Sequence, residues 1–136
     1  MAGYSGTPLP KKLGIREASR VALLRAPAGF DATLGALPAG ARVQRDLRGT
    51  LPLDVALLFT TSRADLEARF AKARDRIAKD GGLWVCWPKK SSGVTTDLTE
   101  DVARVVGLAH GLVDNKVCAV DETWSGLRFV WRTKDR

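Results

Sequence analysis

The residues best suited to hold an anion are Thr61-Ser62, Lys89-Lys90-Ser91-Ser92, Asp121-Glu122 and Trp124. Adjacent cations, hydroxyls at a helix start and an aromatic face can bind a phosphate or a carboxylate through charge, hydrogen bonding and contact. A structural account competes and carries more weight on residue type alone. In it Lys89-Lys90 is a solvated loop after a strand, Asp121 and Glu122 pair with those lysines, and Trp124 caps the core.

Other chemistry finds less support. The sequence has no GxxxxGK[ST], HExxH, GxSxG or CxxC, so the motif-bearing nucleotide, zinc, hydrolase and redox classes lose their footing. Cys86 and Cys118 lie inside apolar runs without metal-ligand spacing and read as reduced core thiols; no metal site is expected. His110 falls in the last turn of a helix, where it reads as a partner for the helix dipole. Trp84 and Trp87 point to opposite faces of one strand, so they do not form a stripe for stacking bases.

The balance of 22 Lys+Arg against 15 Asp+Glu gives a net charge of +7, which favours anionic partners during encounter. The charges are spread from Lys11 to Arg136 and often adjoin acids, as in Asp65-Leu66-Glu67-Ala68-Arg69. That pattern suits a solvated surface better than a concentrated nucleic-acid face. At 136 residues and 45% hydrophobic content, one domain is expected over residues 11–132, between an irregular arm (1–10) and a short tail (133–136). No window approaches the roughly 20 apolar residues of a membrane span, and the start lacks a signal-peptide pattern, so a cytoplasmic protein without membrane contact is expected.

The elements that must carry these residues follow from the hydrophobic period. Arg20-Val21-Ala22-Leu23-Leu24 reads as a strand covered on both faces, and residues 54–59 as the strongest buried strand, central in the sheet. Phe30, Thr33, Leu34 and Leu37 recur at helical spacing, and residues 41–45 make a brief second strand. Ser62 caps the next helix with Asp65 three residues on, a capping-box variant, and Leu66, Phe70, Ala73 and Ile77 form its buried stripe. Asp80-Gly81-Gly82 is expected to end that helix, before a strand over residues 83–87 and a polar loop after Pro88. Thr99 caps a last helix, with Val102, Val105, Val106, Ala109, Leu112 and Val113 on its apolar face and Gly111 at its end. Residues 116–120 and 127–132 read as an antiparallel hairpin, because the connection between them is too short for a helix.

Alternating strands and helices ending in that hairpin predict an α/β fold: a three-layer, Rossmann-like, mostly parallel six-stranded sheet with a C-terminal antiparallel hairpin. The ending resembles class I methyltransferases. That resemblance implies the order second, first, third, fourth, sixth, fifth strand with the sixth reversed, and S-adenosylmethionine as cofactor at the strand carboxyl ends. It would place Ala26 and Gly29, after the first strand, and Asp46, as a ribose-binding acid, against that cofactor. Here Leu24-Arg25-Ala26-Pro27-Ala28-Gly29-Phe30 has one glycine and a proline where the backbone of a cofactor cradle needs several glycines.

The chain also resembles, from about Pro8 to Arg132, the bacterial family catalogued as domain of unknown function 3052. The resemblance rests on Lys11-Lys12-Leu13-Gly14-Ile15, Ala26-Pro27-Ala28-Gly29-Phe30, Trp84-Val85-Cys86-Trp87-Pro88-Lys89-Lys90, Thr96-Asp97-Leu98-Thr99-Glu100 and Val117-Cys118-Ala119-Val120-Asp121-Glu122-Thr123-Trp124-Ser125-Gly126. It implies no reaction, cofactor or catalytic residue. The leading expectation is a noncatalytic binding module with an anion-accepting pocket at the strand carboxyl ends, taking an anionic small molecule or a protein partner. The alternative is a reduced S-adenosylmethionine-dependent methyltransferase-like enzyme. The third is a weak, nonspecific nucleic-acid binder whose affinity falls steeply with salt.

Overall fold

The computed structural model describes residues 6–136, which form a six-stranded sheet. β3 (Leu53–Phe59) is buried along almost its whole length and lies between β1 (Arg20–Leu24) and β4 (Ile77–Pro88), all three parallel. Its unbroken apolar run explains the central place, since both its faces are covered. β2 (Arg42–Gln44) continues the parallel pairing beyond β1. β6 (Trp124–Trp131) runs antiparallel to β4, and β5 (Leu112–Ala119) forms the far edge beside it. The order β2-β1-β3-β4-β6-β5, with the sixth strand reversed, is the expected one.

Helices cover both faces, giving the three layers. Under α3 (Arg63–Arg74) and α4 (Glu100–Ala109) lies a core built around Leu58, Phe70, Trp87, Val106 and Phe129. Under α1 (Leu9–Leu13) and α2 (Phe30–Leu34) lies a second, built around Leu13, Leu57, Phe59 and Trp84. Strand alternation puts Trp84 and Trp87 in opposite cores. The buried indole N–H of Trp84 donates to the Leu13 carbonyl at 3.0 Å, pinning α1 to the middle of the sheet. α4 crosses β6 at Gly107, where a Cβ would stand 2.0 Å from the Phe129 ring.

The caps form as their residues predict. Ser62 Oγ accepts from the Asp65 amide at 3.0 Å, and Thr99 Oγ1 from the Val102 amide at 3.1 Å. His110 closes α4 with Nδ1 2.8 Å from the Val106 carbonyl. The capping box at α3 is only half made. The Asp65 carboxylate turns to the Thr60 hydroxyl (2.7 Å), and that hydroxyl accepts from the Ser62 amide at 3.3 Å.

Several boundaries depart from expectation. Part of the expected arm, residues 1–5, lies outside the described residues, and α1 begins at Leu9, with a proline, Pro10, in its first turn. α2 stops at Leu34, before Leu37, because Gly35 turns with φ +78°. Ile77 is not the end of the α3 stripe. The helix ends at Arg74, and Ile77 opens β4 opposite Leu53. Asp80 and Gly81 therefore belong to a strand bulge, in which residues 78–81 stand opposite Asp54 alone, and Gly82 resumes the ladder opposite Val55. A Cβ on Gly81 would lie 2.9 Å from the carbonyl oxygens of both Leu53 and Asp54, a close approach that reads in sequence as a helix terminator. Leu112 and Val113 likewise belong to β5, opposite Trp131 and Val130, because Gly111 (φ +88°) turns the chain just before them. The hairpin is longer than expected, and a register shift between Asp114 and Lys116 leaves Asn115 as a bulge in β5.

Candidate functional site

The strand carboxyl ends of β1 and β3 meet where the sheet order reverses, the crevice in which open α/β sheets bind ligands. Here that crevice is built around Asp65, in the first turn of α3. One carboxylate oxygen accepts from the Thr60 hydroxyl (2.7 Å) and the Arg69 guanidinium (2.8 Å), the other from Arg25 (3.0 Å). Burial alone would raise the Asp65 pKa. The Thr60 hydrogen bond and the charges of Arg69 and Arg25 outweigh it and hold the carboxyl below its ordinary value. Arg69 also donates to the Phe59 carbonyl at 2.8 Å, fixing α3 to the end of β3. Behind the carboxylate, Phe59 packs edge-on against Phe30 and Trp124 at 4.9 and 5.2 Å between ring centres. The hollow that remains, bounded by Arg25, Thr60, Thr61, Asp65 and Trp124, measures about 200 Å³.

Sequence singled out Asp65 only as a helix cap. Its spacing of four from Arg69 made that pair legible, but Arg25 lies 40 residues away and only the fold brings it near. Arg25 holds φ +57°, a left-handed conformation that L residues with a Cβ seldom adopt, and this turn aims its side chain across the crevice.

The residues first proposed to share one anion pocket are divided. Thr61 borders the Asp65 hollow, Lys89 and Lys90 border a larger one of about 660 Å³ beyond β4, and Asp121 and Glu122 border a third. The start of α3 is satisfied from within: Ser62 Oγ is bonded to its own helix, and the Arg63 amide donates to the Asp97 carboxylate at 2.8 Å. The Thr61 carbonyl accepts from the Thr96 hydroxyl at 2.6 Å. Lys89 Nζ donates to the backbone carbonyl of Asp121 at 2.6 Å, not to its carboxylate. That carboxylate accepts from the Thr123 and Trp124 amides and shapes the hairpin turn. Ser92 Oγ donates to the Lys89 carbonyl at 2.6 Å within the 3-10 turn Lys90–Ser92, which also carries Ser91. Trp124 caps the core beneath α2.

On the cofactor side, Gly29 caps α2 with φ +80°, and Ala26 packs against the same core. Asp46 lies just past β2, where its carboxylate accepts from the Arg48 amide at 3.0 Å and faces the Arg48 guanidinium at 3.3 Å.

No protein-family model matches the sequence, and no curated protein does. Solved structures do. An S-adenosylmethionine-dependent methyltransferase of Aquifex aeolicus superposes with a TM-score of 0.61 at 16% identity, over 88% of this chain and 85% of that one. The chain shares the Rossmann-like fold of that methyltransferase. The magnesium protoporphyrin IX methyltransferase of Synechocystis PCC 6803, solved with bound SAM, gives 0.57 at 9% identity over 91% and 74% of the two chains. The fibrillarin pre-rRNA processing protein of Methanococcus jannaschii gives 0.56 at 15% over 95% and 70%. At these identities the likeness is one of fold.

S-adenosylmethionine, the cofactor this methyltransferase fold implies, meets a matching set of charges here. Its amino-acid end carries an ammonium and a carboxylate, the charges that Asp65 and Arg25 complement; Asp46 is not among the residues that line the hollow. In size the 200 Å³ hollow is smaller than the roughly 300 Å³ at which ligand pockets begin, and the Arg25–Asp65 pair spans it. Arg25, with its side chain 67% exposed, is free to turn aside.

Proposed function

We propose that this chain is a small S-adenosylmethionine-dependent methyltransferase that holds its cofactor at the carboxyl ends of β1 and β3. The observation that carries the reading is the paired Arg25 and Asp65 at the reversal point of a methyltransferase-type sheet. When bound, the cofactor supplies an electrophilic methyl group. Arg25 leaves Asp65 to meet the cofactor carboxylate, and Asp65, kept ionised by Thr60 and Arg69, receives the ammonium. Phe59 and Trp124 exclude water behind them. The acceptor enters the neighbouring 660 Å³ hollow past β4, between Trp87 and Lys90.

One feature favours a second reading, a binding module without catalysis: the loop after β1 lacks the close-approach glycines of a cradle. A Cβ added to Gly29 would meet nothing within 4 Å, so no neighbour crowds the backbone there. Isothermal titration with S-adenosylhomocysteine separates the two. Saturable one-to-one heat that Asp65→Ala abolishes supports the enzyme; no heat with either S-adenosylhomocysteine or S-adenosylmethionine leaves the module.

A further inference from the structure

The hollow past β4 reveals its ligand through the donors it leaves unused. Trp87 and its cross-strand partner Ser125 line it side by side, close to the start of α4. Pro88, Val94 and Leu98 supply apolar wall, and the 660 Å³ volume falls within the range of small-molecule sites. The hollow adjoins the Asp65 crevice. On its rim the Thr96 hydroxyl donates to the carbonyl of Thr61, and Thr61 borders that crevice.

Most polar groups around the hollow are already engaged. The Asp97 carboxylate accepts from the Arg63 amide, Glu100 pairs with Arg104 at 2.5 Å, Thr99 caps α4, and Lys89 donates to the Asp121 carbonyl. Among the described residues, the polar side chains that line the hollow without a hydrogen bond or ion pair are Trp87, Lys90, Thr95 and Ser125. Trp87 is the decisive one. It is only 6% exposed and its indole N–H has no acceptor, yet that nitrogen is not sealed in: among the described residues the sealed, unpartnered side-chain nitrogens belong to Arg76, Trp131 and Arg132. The indole N–H therefore opens on the hollow that Trp87 lines. A nearly buried donor without an acceptor is costly, and an incoming oxygen relieves that cost. The four uncommitted groups can all donate, and of them only Lys90 carries charge. Lys89 and Lys90 together balance Asp97 and Glu100, so the hollow suits a single negative charge better than a polyphosphate.

We propose that this hollow binds a carboxylic acid with an apolar body. The carboxylate meets the Trp87 indole, the Ser125 hydroxyl and the Lys90 ammonium, and the body packs against Pro88, Val94 and Leu98. That such an acid is the methyl acceptor rests on the methyltransferase reading; its binding does not.

The probe is 2-naphthoate, followed by the indole N–H signals of 15N-labelled protein. There are four tryptophans, and Trp87→Phe identifies the signal in question. 2-Naphthoate is expected to move the Trp87 signal downfield and saturably, whereas 2-naphthamide, the same body without the charge, binds about tenfold more weakly. Lys90 is exposed, so Lys90→Ala keeps the fold; it weakens 2-naphthoate about tenfold, and Ser125→Ala about threefold. An unmoved Trp87 signal, an amide that binds as tightly as the acid, or unchanged affinity in Lys90→Ala overturns the site. S-adenosylhomocysteine titrated into the same protein separates the two readings. Heat without a Trp87 shift overturns the acid site and leaves the cofactor in place; a Trp87 shift without heat supports the acid site and removes the cofactor.

Discussion

Arg25 gives the sharpest separation of stability from binding. Two opposed terms act on it in the folded state. Its ion pair with Asp65 has side-chain exposures of 67% and 28%, so it is worth about 0.2–1 kcal/mol. Its left-handed backbone at φ +57° costs about 1 kcal/mol for any residue with a Cβ. Arg25→Ala loses the pair and keeps the strain, and is expected to be less stable by about 0.2–1 kcal/mol. Arg25→Gly loses the pair but relieves the strain, and is expected within about 0.5 kcal/mol of the parent protein. The two variants then differ by about 1 kcal/mol, or roughly 3–5 °C in melting temperature for a chain of this size. Scanning fluorimetry of the three proteins side by side reads this order directly. Titration with S-adenosylhomocysteine adds the functional half: both variants are expected to bind about tenfold more weakly, because Arg25 no longer meets the carboxylate. A glycine variant melting several degrees below the alanine variant refutes the strain argument; undiminished affinity in both removes Arg25 from the cofactor site.

Asp65→Asn is expected to lower stability by about 1–2 kcal/mol at neutral pH, a range reduced because the side chain is 28% exposed. The folded-state pKa is depressed, so this contribution is complete above the unfolded value of about 4 and disappears as pH falls through the lower folded value. Melting temperatures of the two proteins should therefore converge on acidification below pH 4, and a gap that widens there contradicts the assignment. Gly107→Ala gains about 1 kcal/mol of helix propensity but drives a Cβ into the buried Phe129 ring at 2.0 Å, so a net loss of about 1–2 kcal/mol is expected by denaturant titration. Burial pushes both thiols up, that of Cys86 well above its ordinary value, so iodoacetamide at pH 8 should modify Cys118 slowly and Cys86 only after unfolding, as peptide mass mapping would report.

The alternation of strands and helices was legible in unbroken apolar runs and a short final connection, whereas the strand order came from the resemblance to class I methyltransferases. The caps at Ser62 and Thr99 were legible because a cap is a contact over three residues. What escaped depends on distance in sequence. Gly81 and Gly82 look like a helix stop, but they answer to Leu53, Asp54 and Arg128, none of them a near neighbour in the chain. The proposed anion cluster had suitable residue types, yet backbone groups took the hydrogen-bonding capacity of Ser62, Lys89 and Asp121, and side-chain identity does not reveal that competition. Asp65 and Arg25 became a pair only when β1 and β3 were placed side by side.

The bulge at Asn115 bears on how the protein behaves in concentrated solution. An open sheet ends in strands whose outer amides and carbonyls can recruit another chain, and a long flat edge seeds aggregation. β2 offers an edge of only three residues. β5 is longer, but its ladder is broken at Asn115 and the next residue is the exposed Lys116, so an incoming strand meets a kink and a positive charge before it can pair along the length. Restoring a flat edge, by deleting Asn115 and replacing Lys116 with valine, would turn β5 into a template for stacking one molecule on the next.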